Sequence, residues 1–106
     1  MTYRDRQGRE IALLEWAHLR KNMSYRVVAE DQVGDVMVRT VWEGIETTPG
    51  VAFATGTSRD GGAHWRTQRT DARTEQEARE QHDHVVEELR AAQVGGASDV
   101  RERPGQ

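Results

Sequence analysis

The chain of 106 residues is 35% hydrophobic and 31% charged, with a formal net charge of −3, which predicts a single domain with a modest core. It has no cysteine, so disulfides, thiolate catalysis and cysteine-based zinc sites are excluded. The polar N-terminus does not resemble a signal peptide, and no apolar run approaches the ~20 residues of a membrane span, so we expect a cytoplasmic protein with no membrane partner.

The first half of the chain predicts one helix, one strand and an ambiguous segment between them. A helix is expected over 12–21, because ALLEWAHLRK contains no Gly, Pro or β-branched residue. Residues 22–33 fit either a strand or one or two helical turns, and we favour helical or irregular structure that ends at Gly34. The segment 35–46 is dense in Val, Thr, Trp and Ile, which favours a strand.

The predicted strand over 35–46 has apolar residues on both of its faces, because side chains alternate along a strand. One face carries Val36, Val38, Thr40 and Trp42, and the other carries Met37, Arg39, Val41, Glu43 and Ile45.

The second half of the chain predicts two further strands, over 51–58 and 63–70. Turn signals at 47–50 and 59–62 mark where each of them begins. The earlier of the two has one face of small residues, which permits close approach of a helix or a second sheet; this face is Ala52, Ala54, Gly56 and Ser58.

A long helix is predicted over 75–93, where Thr74 and Glu77 form a capping box at its start. Its apolar stripe is Ala78, His82, Val85, Val86, Leu89 and Ala92. Gly95 and Gly96 are expected to end the helix, and residues 95–106 are expected to form a disordered tail. Residues 1–94 therefore predict an α+β fold, in which an antiparallel meander of three or four strands is flanked by an N-terminal and a C-terminal helix.

Three segments carry a further pattern: DRQGREIALLEWAHLR, YRVVAEDQVGDVMVRTVWEG and RTEQEAREQHDHVVEELR. They resemble a group of small uncharacterised proteins of actinobacteria and their phages, whose pattern reads LxEWAxL, YRxVAxxxVG, TVWxG and TExEAxxxH over most of residues 3–90. Many members carry a histidine in the loop after TVWxG, whereas residues 46–50 here have none. The resemblance implies a phage or mobile-element context and a regulatory or counter-defence function.

The candidate catalytic and metal-binding residues give little support to an enzyme. His82 and His84 are two residues apart on a helix and point to different sides, and His84 with Glu88 lies on the solvated side, so we expect no metal site. No nucleotide-binding loop or G-x-S-x-G motif occurs in the sequence. We therefore predict a protein without enzymatic activity or cofactor. His82, in the apolar stripe, is interpreted as a core histidine or as a polar group at a pocket or dimer seam.

Two flanking helices do not easily cover both faces of a three-stranded sheet, which predicts an exposed apolar patch and favours a homodimer. Alternatively, residues 22–33 and the first helix cover the second face. The partner or ligand is expected to be a host protein or a small anionic molecule. For such a ligand, the candidate binding residues are aromatic and cationic side chains of the sheet: Arg39, Trp42, His64, Trp65 and Arg66.

The alternative function is a nucleic-acid-binding regulator, since residues 59–73 carry Arg59, Arg66, Arg69 and Arg73 against Asp60 and Asp71. A basic strand with interleaved aromatic residues can contact phosphates and stack on bases. The same charges also suit an edge strand that is protected against aggregation.

Overall fold

A four-stranded antiparallel sheet with a long helix packed on one of its faces forms the centre of the fold. The computed structural model describes residues 2–46 and 52–101, and the side chains as far as residue 93. The elements in chain order are β1 (Thr2–Arg4), β2 (Glu10–Ile11), α1 (Leu13–Arg20), α2 (Met23–Arg26), β3 (Val27–Val33), β4 (Val36–Trp42), β5 (Ile45–Glu46), β6 (Phe53–Ser58), β7 (Arg66–Arg69) and α3 (Glu75–Arg101). The predicted α+β fold is confirmed.

The large sheet has the order β3-β4-β6-β7, and each strand pairs antiparallel with the next. The four-stranded alternative is therefore the right one, because Val27–Val33 forms an edge strand where we favoured helical or irregular structure. Only Met23–Arg26 is helical in that segment. The turn at Gly34, whose φ is +63°, folds β3 back onto β4, and this long ladder decides the conformation of residues whose local pattern is ambiguous.

The core lies between α3 and one face of the large sheet. The face of β4 that points to α3 is the one with Val36, Val38, Thr40 and Trp42, which are all buried. The predicted stripe of α3 is buried at Ala78, His82, Val85 and Val86 and partly buried at Leu89, but Ala92 is exposed. Along β4 and α3, Thr40 and His82 separate two apolar clusters, one around Trp42 and Phe53 and the other around Val38 and Val85.

A second, three-stranded sheet in the order β2-β1-β5 lies beyond the end of β4 and was not predicted. The expected continuous strand over 35–46 is broken at Gly44, whose φ is +72°. Both Glu43 and Gly44 donate their backbone N–H to the carbonyl oxygen of Ala52, and Ile45 then pairs with Tyr3 of β1. Because of this break, the continuous segment 36–46 contributes β4 to the large sheet and β5 to the small sheet.

The remaining boundaries differ from prediction at a few places. The third predicted strand is shortened to β7, and α3 continues through Gly95 and Gly96, so their predicted role as a helix end is wrong. A glycine inside a helix costs only about 1 kcal/mol relative to alanine, which does not by itself end a helix. Residues 95–101 continue α3, while 102–106 and the predicted turn at 47–50 lie outside the described residues.

The capping box at the start of α3 is formed in part. The hydroxyl of Thr74 accepts the backbone N–H of Glu77 at 3.1 Å, as predicted. The Glu77 carboxylate accepts the backbone N–H of Arg73 at 2.9 Å instead of that of Thr74. None of the helices in the described part of the chain is long and apolar enough to cross a bilayer.

Candidate binding surface

The face of the large sheet opposite α3, here called the outer face, carries Met37, Arg39 and Val41 of β4 and Ala54 and Gly56 of β6. All five residues are partly exposed. Among the described elements, the single turn of α2 lies against β3 and β4, whereas α3 contacts the sheet from the buried side. The outer face is therefore the least covered apolar surface of the described sheet.

A groove of about 280 Å³ runs over this face, here called the outer groove. Its floor is made of small or short side chains, Val41, Ala54 and Gly56. Two large apolar side chains stand at its rim, Met23 with an exposed fraction of 46% and Trp65 with 38%. A concave floor between protruding apolar groups is the shape of a contact surface.

Arg39 and Trp65 form one wall of the outer groove. The guanidinium carbon of Arg39 lies 4.6 Å from the centre of a Trp65 ring, within the range of a cation–π contact. The same guanidinium is bonded to the Glu30 carboxylate at 2.7 Å. Gly56 makes room for this wall, since an added Cβ there would come 3.3 Å from the Arg66 carbonyl oxygen and 3.7 Å from the indole. The wall is thus a guanidinium stacked on an indole ring, and the Glu30 carboxylate already neutralises the charge of that guanidinium.

Glu43 and Arg26 also line the outer groove, and Glu43 contacts two arginines. The Glu43 carboxylate lies 3.1 Å from the Arg26 guanidinium and 3.4 Å from that of Arg20. Arg26 also donates to the carbonyl oxygen of Trp42 at 3.2 Å. These bonds fix α2 against the end of β4 and hold Arg26 in place at the groove.

In the outer groove only two of the five predicted ligand-binding residues, Arg39 and Trp65, come together, whereas His64, Trp65 and Arg66 line a neighbouring hollow. Trp42 is completely buried under α3, where its indole N–H donates to the Arg4 carbonyl oxygen at 2.8 Å, so its ring is not available to a ligand. Arg66 is paired with Thr57 in the ladder and lies on the α3 side of β7, away from the outer groove. His64 is exposed and bonded to Asp60 at 2.6 Å, and it does not line the groove.

Sequence reasoning missed Met23 and Arg26, because both belong to the ambiguous segment 22–33. One local signal for α2 was present in the sequence. The side chain of Asn22 accepts the backbone N–H of Tyr25 at 3.3 Å, and asparagine is a preferred N-cap residue.

A buried chain of polar side chains crosses the core behind the outer face. The Nδ1 atom of His82 lies 2.9 Å from the Thr40 hydroxyl, which lies 2.7 Å from the Thr55 hydroxyl. The Nε2 atom of His82 lies 2.8 Å from the Asp31 carboxylate. The order hydroxyl, imidazole and carboxylate matches a nucleophilic triad, but Thr40 is fully buried and no substrate can reach its hydroxyl. His82 is a core histidine with both ring nitrogens bonded.

No group of three or more metal-binding side chains is arranged to hold an ion in the part of the chain that the structure describes. Comparison with protein-family models, with curated proteins and with solved structures gives no match to the chain. The function therefore has to be inferred from the geometry of the outer face and of the sheet edge beside it.

Proposed function

We propose that the chain is a small non-enzymatic binding protein that works as a homodimer, with the outer face of the large sheet as the interface between subunits. The observation that carries the proposal is the exposure of Trp65 and Met23 at the rim of a groove with a small-residue floor. Exposed apolar patches of this kind mark interaction sites in soluble proteins.

The shape of the outer face suits a second copy of the same surface. In a two-fold arrangement, the exposed part of each Trp65 lies over the partner's floor of Ala54 and Gly56. A tryptophan buries roughly 200 Å² when it is covered, so two such contacts supply a large share of the binding free energy. Two sheets packed face to face in this way form a familiar sandwich arrangement.

The charges on the outer face also favour a second copy over a small anion in the groove. Arg39 already pairs with Glu30, and Arg26 already pairs with Glu43. An anion would have to displace these carboxylates, whereas an apolar surface can cover the pairs without leaving an unmatched charge. The phage or mobile-element context implied by the resemblance makes a host protein the competing occupant.

The test is the oligomeric state in solution, measured by light scattering coupled to gel filtration over a range of concentrations. We expect the wild-type chain at twice its chain mass. The Trp65→Glu variant should weaken the apparent dimer by at least 100-fold, because it introduces a charge into the centre of the interface.

Leu14→Glu serves as the matched control. Leu14 is 83% exposed and does not line the outer groove, so this variant should remain a dimer. Ala54→Arg, which fills the floor and leaves Trp65 intact, should dissociate the dimer like Trp65→Glu. A wild-type chain that is monomeric at all concentrations contradicts the proposal, as does a dimer that survives both interface variants; circular dichroism verifies that each variant is folded.

A further inference from the structure

Arg59 and Arg66, at the edge of the large sheet, differ from the other arginines with described side chains in their ion pairing. Most of these others take part in an ion pair, from Arg4 to Arg90. Arg59 and Arg66 pair with no carboxylate among the described residues. Arg66 is the first residue of β7, Arg59 lies between β6 and β7, and both line the same two adjoining hollows, of about 280 and 310 Å³. We call this region, around Thr57, Arg59 and Arg66, the edge cleft.

The carboxylates closest to the edge cleft are held by other groups. Asp60 accepts the backbone N–H of His64 and the Ser58 hydroxyl, both through Oδ1, and its other oxygen contacts the His64 ring. The backbone and ring of His64, followed by the Ser58 hydroxyl, lower the pKa of Asp60 below its ordinary range. Glu88 contacts both Arg69 and His84. The positive charge of Arg59 and Arg66 therefore remains available to a ligand.

The hydroxyl of Thr57 is also free to donate. Its oxygen accepts a hydrogen bond from the Gln68 amide at 3.1 Å, which leaves its own proton unused in this contact. Thr57 of β6 lies directly opposite Arg66 of β7 in the ladder, so the two residues are neighbours across the two strands. Two guanidinium groups and one hydroxyl donor form a donor set that matches the oxygens of a phosphate group.

We infer that the edge cleft binds the phosphate group of a nucleotide or of a single-stranded nucleic acid, with Arg59 and Arg66 as the charged donors and Thr57 as the neutral one. This inference rests on the proposed binding function and names its ligand class. The Trp65 ring, which the proposed dimer uses on the outer face, also lines one of the two hollows, but none of the three proposed donors belongs to it. Each subunit of the dimer then carries its own phosphate site.

The test measures binding to three probes at low salt by calorimetry or by fluorescence anisotropy: inorganic pyrophosphate, ATP and a labelled single-stranded oligodeoxynucleotide. We expect the wild-type chain to bind at least one of them. Arg59→Gln and Arg66→Gln should each weaken that binding by about tenfold, and added salt should weaken it further. Binding of ATP and pyrophosphate identifies a nucleotide site, whereas binding of the oligonucleotide alone identifies a backbone site; both support the inference.

Lys21→Gln is the matched control, because Lys21 is exposed, lies at the end of α1 and pairs with no carboxylate among the described side chains. It removes the same charge far from the edge cleft and should leave binding within twofold of wild type. Equal losses in the Lys21 and arginine variants, or no binding to any probe by folded wild-type chain, overturn the inference. Light scattering on the same samples separates it from the dimer proposal, since Arg66→Gln should remain a dimer while it loses its ligand.

Discussion

At the residue scale, the feature that most constrains the core is the hydrogen-bond chain through His82. Three links join His82, Thr40, Thr55 and Gln81 in sequence, and the last is 3.3 Å long. The two threonine hydroxyls supply two protons for these three links, so the third proton has to come from Nδ1 of His82. Since Nε2 faces the Asp31 carboxylate, both ring nitrogens of His82 have a polar partner.

Replacing His82 by alanine should therefore destabilise the protein by about 2–4 kcal/mol, because it leaves a buried hydroxyl without its partner and opens a cavity. His84→Ala is the control: this histidine is exposed and contacts only Glu88 among the described side chains, so it should cost less than about 0.5 kcal/mol. Urea unfolding of both variants measures the difference, and similar losses for the two would contradict the importance assigned to the buried chain.

At the element scale, the break after β4 determines how the two sheets meet. Gly44 has a φ of +72° and lies directly against the Trp42 ring. A Cβ at this position would overlap that ring and would lie 2.9 Å from the Arg4 carbonyl oxygen, which itself accepts the Trp42 indole N–H. The glycine thus allows the buried tryptophan to close the gap between β4 and β1.

Gly44→Ala should cost at least 3 kcal/mol, since it adds a steric clash in the core to the penalty for a positive φ. Gly61→Ala separates the two effects. Gly61 has a similar φ of +74°, but no atom lies within 4 Å of an added Cβ, so its cost should be about 1 kcal/mol. Thermal or urea unfolding measures both changes, and equal costs would show that the contact with Trp42 carries no energy.

The elements that the sequence predicts well are those whose pattern is local. The helix periodicity of α3 identifies most of its buried residues, and the alternation in β4 identifies which residues share a face. The small sheet has strands of two or three residues, and its pairings join distant parts of the chain, so no local pattern reveals it. The edge strand β3 is stabilised by its ladder with β4, which overrides its ambiguous local preference.

The candidate surface was predictable only in part for a related reason. Arg39 and Trp65 stand out in the sequence by residue type, and they do form one wall of the outer groove. Alternation shows that both faces of β4 are apolar but does not show which face a helix covers, and so it placed the buried Trp42 in the same predicted site. The β6–β7 register, which directs Arg66 away from Arg39, is set by a bulge without a clear sequence signal.

At the scale of the whole molecule, one ion pair connects the N-terminal turn to the start of α3. The Arg6 guanidinium contacts the Glu75 carboxylate at 2.9 and 3.0 Å, and it also donates to the Tyr25 carbonyl oxygen at 2.9 Å. These contacts join the N-terminal turn, α2 and the start of α3, and none of the three residues lines the outer groove.

Glu75→Gln should destabilise the protein by about 1–2 kcal/mol at pH 7, because it weakens a partly buried, charge-assisted contact. The Arg6 guanidinium lowers the pKa of Glu75 from its ordinary value of 4.5. Its stabilising contribution is therefore fully present above pH 4.5 and is lost as the pH falls through the lower pKa of the folded state.

The gap in stability between wild type and Glu75→Gln should accordingly shrink as unfolding is measured at successively lower pH. Glu87→Gln, on the exposed side of α3, is the control and should differ little from wild type at any pH. A gap that stays constant down to the lowest pH at which the protein folds would show that Glu75 acts by shape and not by charge.

The two faces of β4, one towards α3 and one outward, should tolerate amino-acid substitutions to different extents. Substitutions on the inner side meet Trp42, His82 or the valines of α3 and are restricted by volume and hydrogen bonding. Those at Met37, Arg39, Val41 or Ala54 meet no buried residue of the helix and alter only what the molecule presents to others. Substitutions on the outer side should therefore change the exposed surface while they leave the packing between β4 and α3 intact.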